Sequence, residues 1–318
     1  MSALHDEFRH EAVFYSDEAE FLSTITSFVE DGIESDEPVL VVLNAPKLDA
    51  LRSQLGPGAE RVELADMGEV GANPARIIPA WGEFLERHAG SGRRLRGVGE
   101  PIWAERSADE LVECQRHESL LNLAFADSPG FHLVCPYDTS ALDQDVLDEA
   151  RRSHPHLREA GIGRESSEYR GLGAVAAPFA EPLPDPPAQA DTCSFDETGL
   201  SALRDLVAGR AADAGFDEEM ADDLVLAVDE VAANSVIHGG GGGVVRIWRE
   251  GSALVCEVRD RGSIRQPLAG RERPVAGQDG GYGLWLANQL CDLVQVRTFA
   301  AGSAVRLHMR RARRAPRA

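Results

Sequence analysis

The feature that most constrains this chain is a proline-rich segment at residues 177–191, APFAEPLPDPPAQAD, with five prolines in fifteen positions. Proline lacks the backbone N–H that helices and central strands need, so an extended spacer is expected here. At 318 residues the chain is also longer than a typical single domain. The sequence therefore predicts two domains, at residues 1–176 and 192–310, joined by a linker at 177–191 and followed by a basic tail at 311–318.

The composition excludes several classes of protein. The formal net charge of −21 argues against a nucleic-acid partner, because phosphate binding needs a positive surface. No apolar run reaches the roughly 18 residues of a membrane span, and the start, MSALHDEFRHEAVF, lacks the pattern of a secretory leader. We therefore expect a cytoplasmic protein. Its five cysteines contain no C-x-x-C pair, which favours buried thiols over disulfides or a zinc site.

The first domain alternates predicted strands and helices. Strands are expected at 12–16, 38–44, 94–103 and 131–138, and helices at 18–36, 75–90 and 108–126. The run PVLVVLN is apolar throughout, which is typical of a strand buried on both faces of a parallel sheet. The alternation predicts an open α/β sheet.

The second domain groups its elements instead. Helices are expected over 200–215, 218–239 and 283–292, with Asp217 as an N-cap. The stretches GVVRIWRE and ALVCEVRD predict two strands joined at Gly251, and residues 293–311 predict a hairpin. This grouping predicts an α+β domain with a helix layer on one face of a mixed sheet.

The long predicted helix ends in DEVAANSVIHGGGGG, which places Glu230, Asn234 and His238 four residues apart. Residues at this spacing share one helix face, so a polar stripe is expected opposite apolar Leu224, Val228, Val231 and Val236. A carboxamide oxygen suits Mg²⁺ bound to nucleotide phosphates, and a carboxylate can accept a proton from an attacking hydroxyl.

Two further motifs follow in order. Strand ALVCEVRD ends in Asp260-Arg261-Gly262, where a carboxylate could accept a hydrogen bond from an exocyclic amine such as that of adenine. The stretch DGGYGLWLANQL then places Gly280, Gly281 and Gly283 at the start of a helix. Free backbone N–H groups and the helix dipole at such a start can bind a phosphate group.

Together, DLVLAVDEVAANSVIHG, VRDRG and GGYGLWL resemble the ATP-binding sandwich of the GHKL superfamily, and more closely the RsbW-type anti-sigma-factor kinases. The resemblance spans about residues 195–310. It implies ATP and Mg²⁺ as cofactors, with Glu230 as the base that activates a seryl hydroxyl and Asn234 as the magnesium ligand. The remaining nucleotide-binding positions that it implies are His238, Asp260, Gly262, Gly281, Gly283 and Leu284.

The resemblance implies an anti-sigma factor that phosphorylates a serine or threonine of an anti-anti-sigma (STAS) protein, or sequesters a sigma factor. The segment from Ser263 to Asp279 is short, so a short ATP lid is expected, and relatives of this type suggest a homodimer. Two alternatives stay open: a non-catalytic, nucleotide-gated binding module, and a histidine-kinase-like protein with a separate phospho-acceptor. His154 and His156 lack the flanking heptads of a phospho-accepting hairpin.

The first domain has no P-loop motif, but HEAVFYSDEAEFL, GEPIWAERSADELVECQRHESLLN and CPYD resemble the MEDS domain, a sensory module with a RecA-like open sheet. This resemblance covers residues 8–170 and implies a small-molecule or protein signal. Ligands of such sheets gather at the carboxyl ends of strands. The predicted sensory pocket comprises His10, Glu100, Trp103, Glu118, Asn122, Tyr137, Asp138 and His154.

Overall fold

The protein is described by a computed structural model that covers residues 8–171, 182–274 and 281–311. The chain divides into two compact units, Met1–Ala177 and Pro178–Ala318. No helix within the described ranges is both long enough and apolar enough to cross a membrane.

Part of the predicted linker can be seen on the second unit. Residues 177–181 of the predicted linker and residues 312–318 of the predicted tail lie outside the described ranges. The boundary between the two units falls after Ala177. Farther along, the Pro184 carbonyl accepts a hydrogen bond from the Arg306 guanidinium at 2.5 Å. This part of the linker therefore follows the sheet of the second unit, whereas the linker bounds of 177–191 stay a prediction.

The first unit is a seven-stranded sheet covered by helices. Its strands are β1 Arg9–Tyr15, β2 Val39–Leu43, β3 Glu63–Asp66, β4 Leu95–Gly99, β5 Phe131–Asp138, β6 His156–Glu159 and β7 Ile162–Glu165. Its helices are α1 Glu18–Glu34, α2 Ala45–Leu55, α3 Met67–Val70, α4 Ile77–Arg87, α5 Ala108–Ala124 and α6 Gln144–Ser153. The strand order is β3-β2-β4-β5-β1-β6-β7, and every pairing is parallel except β6 with β7.

Both faces of this sheet are packed. Val98 of β4 joins the core beneath α1 and α2, whereas Gly97 and Gly99 face the opposite side. A Cβ on Gly97 would lie 2.9 Å from the ring of Trp81 in α4, so glycine here lets the indole lie directly on the strand. The open α/β sheet that the sequence predicts is confirmed.

The described residues of the second unit form a five-stranded sheet and three α-helices. Its strands are β8 Asp191–Asp196, β9 Gly242–Glu250, β10 Ala253–Asp260, β11 Leu293–Phe299 and β12 Gly302–Arg310. Its helices are α7 Leu200–Asp213, α8 Glu218–His238 and α9 Tyr282–Leu290. The strand order is β11-β12-β10-β9-β8. The side chains of Leu254, Cys256 and Val258 from β10 share one core with all three helices.

The α+β class of this unit is confirmed, with one correction. The sheet was expected to be mixed, but each pairing among its described strands is antiparallel. The reason is local: β9 and β10 are joined by a tight turn at Gly251, and β11 and β12 form a second hairpin. Edge strand β8, which pairs with β9, was not predicted.

Candidate nucleotide-binding site

Helix α8 carries the polar stripe. It begins with Asp217, whose side chain accepts a hydrogen bond from Met220 N at 2.9 Å, as the sequence predicts. Glu230 and Asn234 are half-buried, His238 is exposed, and the helix ends at Gly239. On the other face Leu224, Val228 and Val231 are buried in the core, and Val236 packs against it partly exposed.

Asp260, the last residue of β10, is held in a defined position. Its carboxylate accepts hydrogen bonds from the Ser235 hydroxyl at 2.6 Å and the Ser303 hydroxyl at 2.7 Å. The Gly262 backbone N–H donates a third bond at 2.8 Å. A Cβ on Gly239 would lie 2.6 Å from Asp260 Cγ, so a glycine at this helix end makes the approach possible. Since an ionised carboxylate has about four acceptor sites, about one remains for a ligand amine.

The start of α9 lies against the polar stripe. Gly281 precedes this helix with φ +91° and, being glycine, has no side chain to cap its first turn. A Cβ on Gly283 would lie 2.5 Å from Asn234 Nδ2 and 3.1 Å from Glu230 Oε2. The helix can therefore approach both polar side chains only because residue 283 is glycine.

The segment before α9 is anchored to that helix. Asn288 Nδ2 donates to the Gly270 carbonyl at 2.9 Å, and a Cβ on Gly270 would lie 2.8 Å from Leu284 Cβ. Leu284 itself is half-buried against the core. Of the predicted lid, residues 275–279 lie outside the described ranges, as does Gly280.

These residues suit a nucleotide with Mg²⁺. Asp260 keeps acceptor capacity for an amine, and the first turn of α9 offers backbone N–H groups to phosphate. Between them Asn234 presents a carboxamide, which can contribute an oxygen to the shell of Mg²⁺. The structure thus brings together all three sequence motifs, whereas His238 contributes an exposed imidazole at the rim.

The predicted sensory pocket of the first unit separates into two clusters. In the first cluster, His10 Nε2 lies 3.2 Å from Glu118 Oε2, and His154 Nε2 lies 3.2 Å from the same oxygen. Asn122 Oδ1 lies 3.1 Å from His10 Nδ1. The sequence analysis missed one member, Cys135, whose Sγ lies 3.3 Å from His10 Nε2.

Electrostatics within this first cluster favour a neutral imidazole beside a charged carboxylate. Burial, together with repulsion from His154, lowers the pKa of His10 to about 4. Burial opposes ionisation of Glu118, but the two adjacent imidazoles, His10 and His154, outweigh it and lower its pKa below the usual range. Burial raises the pKa of the Cys135 thiol.

The second cluster lies at the carboxyl ends of β1 and β4. The Tyr15 hydroxyl donates to Glu100 Oε1 at 2.8 Å, and Lys47 Nζ lies 2.5 and 2.6 Å from the two Glu100 oxygens. Lys47 also lies over the rings of Tyr15 and Phe21. Burial raises the pKa of Glu100 despite Lys47, and the nearby Asp138 charge adds to the effect.

Two predicted pocket residues have other surroundings. Trp103 is half-exposed and its ring is covered by the Arg106 guanidinium at 3.8 Å, which places it in neither cluster. Tyr137 is fully buried and packs edge-on against His154, so it forms a wall of the first cluster. Apart from Trp103, the predicted pocket residues therefore lie at two clusters, and their sensory role stays a prediction.

Comparisons with known proteins agree with the two motif sets. Residues 9–155 match the family described as MEDS, the MEthanogen/methylotroph, DcmR Sensory domain. Residues 193–309 match the histidine kinase-like ATPase domain. No curated protein matches the chain.

One similar solved structure contains the RsbU and RsbW domains of Rv1364c from Mycobacterium tuberculosis. It is 23% identical, with a TM-score of 0.31, over 41% of this chain and 34% of that one. The present chain thus corresponds to about a third of its length. On the two family matches, the chain consists of a MEDS domain followed by a histidine kinase-like ATPase domain of the GHKL type.

Proposed function

We propose that this protein is an ATP-dependent signalling regulator whose second domain binds ATP with Mg²⁺. Its activity would be that of a serine/threonine kinase acting on an anti-anti-sigma protein, or that of an anti-sigma factor, under the control of the MEDS domain. The observation that carries the proposal is the convergence of Asp260, the Glu230–Asn234 pair and the start of α9 around one site.

Each residue has a distinct binding role in this proposal. Asp260 would accept a hydrogen bond from the adenine amine, with Gly262 leaving room for the ring. Asn234 would contribute its amide oxygen to Mg²⁺. Gly281 and Gly283 would allow the phosphates to approach the N–H groups of α9. Leu284 would add an apolar contact, and His238 would face the lid.

The proposed chemistry is transfer of the γ-phosphoryl group, which ATP supplies, to a seryl or threonyl oxygen. Glu230 would accept the proton of that hydroxyl as the new P–O bond forms and the bond to ADP breaks. In such reactions the protein mainly positions the reactants and neutralises charge. Glu230 is half-buried and its Oε2 lies beside the first turn of α9, which supports this role.

The Glu230→Gln variant tests the proposal because it keeps shape and polarity but cannot accept the proton. Wild type and variant are incubated with γ-labelled ATP and the anti-anti-sigma proteins encoded in the same genome. We expect equal ATP affinity, with acid-stable phosphoserine or phosphothreonine formed by wild type alone.

Other outcomes of this experiment select the alternatives. ATP binding without label on any protein would support a nucleotide-gated binding module. Acid-labile label would indicate a histidine kinase with a separate phospho-acceptor. Equal transfer by Glu230→Gln would remove Glu230 from the chemistry.

The MEDS domain would supply the signal. The first cluster and the Lys47–Glu100–Tyr15 cluster are two of the places where its described buried polar groups gather, and we assign the sensory role to this part of the chain. The proposal also includes assembly of the protein as a homodimer and a linker at residues 177–191 that joins its two domains.

A further inference from the structure

Four buried side chains from distant parts of the MEDS domain meet at one point. His10 comes from β1, Glu118 from α5, Cys135 from β5 and His154 from the residue after α6. One nitrogen, oxygen or sulfur atom from each lies within 4.8 Å of the others, and each residue is at most 1% exposed. We call this group the His-Glu-Cys-His cluster.

The hydrogen bonds behind the cluster fix the tautomers of both imidazoles. Asn122 Nδ2 donates to the Ser153 carbonyl at 2.8 Å, so its Oδ1 faces His10 Nδ1 and accepts from it at 3.1 Å. His154 Nδ1 lies 2.8 Å from the Ala150 carbonyl, which can only accept. Both rings therefore carry their proton on Nδ1, and in the neutral form both Nε2 atoms present lone pairs to the cluster.

Inside the cluster, the hydrogen-bond acceptors of the two imidazoles therefore face an acceptor oxygen of Glu118. His10 Nε2 and His154 Nε2 each lie 3.2 Å from Glu118 Oε2. Glu118 Oε1 and His154 Nε2 have no hydrogen-bond partner, although both are buried. Lone pairs at this separation repel one another, and a buried carboxylate without compensation is costly. A cation at the centre would relieve both effects.

We infer that the His-Glu-Cys-His cluster is a binding site for a divalent transition-metal ion of the zinc class. The donors would be two imidazole nitrogens, one carboxylate oxygen and the Cys135 sulfur, whose thiol releases its proton to solvent as the ion binds; all four are zinc ligands. Bonds of about 2.1 Å in a tetrahedron place the ligand atoms about 3.4 Å apart. Three of the six separations among these atoms, 3.2, 3.2 and 3.3 Å, are close to this value, and none exceeds 4.8 Å.

The surroundings match those of a structural metal site. Each imidazole donates its Nδ1–H to an oxygen, the arrangement that orients histidine ligands. Phe8 stacks on His10 and Tyr137 packs edge-on against His154, so apolar rings enclose the donors. Four protein ligands leave no open position for a substrate. The ion would instead join two adjacent strands to α5 and α6, and this role is independent of the nucleotide site.

The experiment uses the full chain, stripped with a chelator and titrated with Co²⁺ and then Zn²⁺. We expect one Co²⁺ per chain, with tetrahedral ligand-field bands and thiolate-to-cobalt absorption that Zn²⁺ abolishes. Glu118→Gln and Cys135→Ser should abolish this spectrum. Cys256→Ser, which changes an equally buried thiol in the other domain, should leave it intact. Asn122→Ala should weaken the affinity about 10- to 100-fold.

X-ray absorption of the zinc-loaded wild type keeps the test independent of how the variants fold. We expect one sulfur at about 2.3 Å and three nitrogen or oxygen ligands at about 2.0–2.1 Å. No stoichiometric metal, a shell without sulfur, or a spectrum unchanged in Glu118→Gln and Cys135→Ser would overturn the inference.

Discussion

The contact between Gly283 and α8 gives the sharpest test of how the nucleotide site is assembled. In Gly283→Ala the new Cβ would lie 2.5 Å from Asn234 Nδ2 and 3.1 Å from Glu230 Oε2. Ordinary contact begins at 3.4 Å, so α9 and Asn234 must separate by about 0.9 Å. A shift of this size would move the Asn234 carboxamide away from the position proposed for a magnesium ligand.

Gly283→Ala is expected to change two quantities, the affinity for ATP and the stability of the domain. Losing a charge-assisted contact costs about 1.5–3 kcal/mol, which corresponds to roughly 10- to 150-fold weaker binding of ATP with Mg²⁺. Overpacking destabilises by about 1–3 kcal/mol, but replacing glycine within a helix returns up to about 1 kcal/mol. The variant should therefore lose ATP affinity while unfolding only a few degrees below wild type.

Gly209→Ala is the matched control. Gly209 is an exposed residue within α7, and a Cβ there would meet nothing within 4 Å. This variant should bind ATP as wild type does and be slightly more stable. Affinity is measured by titration with a fluorescent ATP analogue, and stability by thermal unfolding. Wild-type affinity in Gly283→Ala would refute the proposed role of this contact.

Three further substitutions test the Lys47–Glu100–Tyr15 cluster and the proposed adenine contact. Lys47→Met should destabilise the first domain by about 3–5 kcal/mol, because the buried Glu100 carboxylate loses its counter-charge and keeps the hydrogen bond from Tyr15. Lys47→Met/Glu100→Gln should recover much of the loss, and hydrogen exchange of β1 and β4 measures both changes. Burial raises the pKa of Glu100 in the folded protein. The loss of stability caused by Lys47→Met should therefore be small at a pH below the ordinary pKa of a glutamate, where Glu100 is protonated, and should grow as the pH rises through the pKa of Glu100 in the folded state. A loss of stability that does not depend on pH would contradict this. Asp260→Asn should weaken ATP binding about 10- to 150-fold and remove the preference for ATP over inosine triphosphate, whereas a retained preference would exclude Asp260 from base recognition.

The sequence predicts α8 and its polar stripe well, because the signals are local. Asp217 caps the helix, apolar residues recur at helical spacing, and Gly239 ends it. The short strands β3, β6 and β7 have four residues each, too few to establish an alternating pattern, and they were missed. The antiparallel sheet of the second unit could have been predicted from its two hairpins.

The clusters of the MEDS domain depend on which strands are neighbours, and no local motif contains that information. Strands β1 and β5 pair in parallel with Ala12 opposite Cys135, which places Cys135 beside His10. These residues are more than a hundred positions apart in the chain. The hydroxyls of Ser235 and Ser303 on Asp260 were missed for the same reason, since they come from different elements.

The most direct test of the ATP-binding proposal is a titration of a fluorescent ATP analogue, with and without Mg²⁺, on wild type and Asn234→Ala. We predict saturable binding by wild type that requires Mg²⁺ and is weaker by about 1.5–3 kcal/mol in the variant. Thermal unfolding shows that both proteins are folded under the same conditions. No binding by either protein, or equal Mg²⁺-dependent binding by both, would contradict the account.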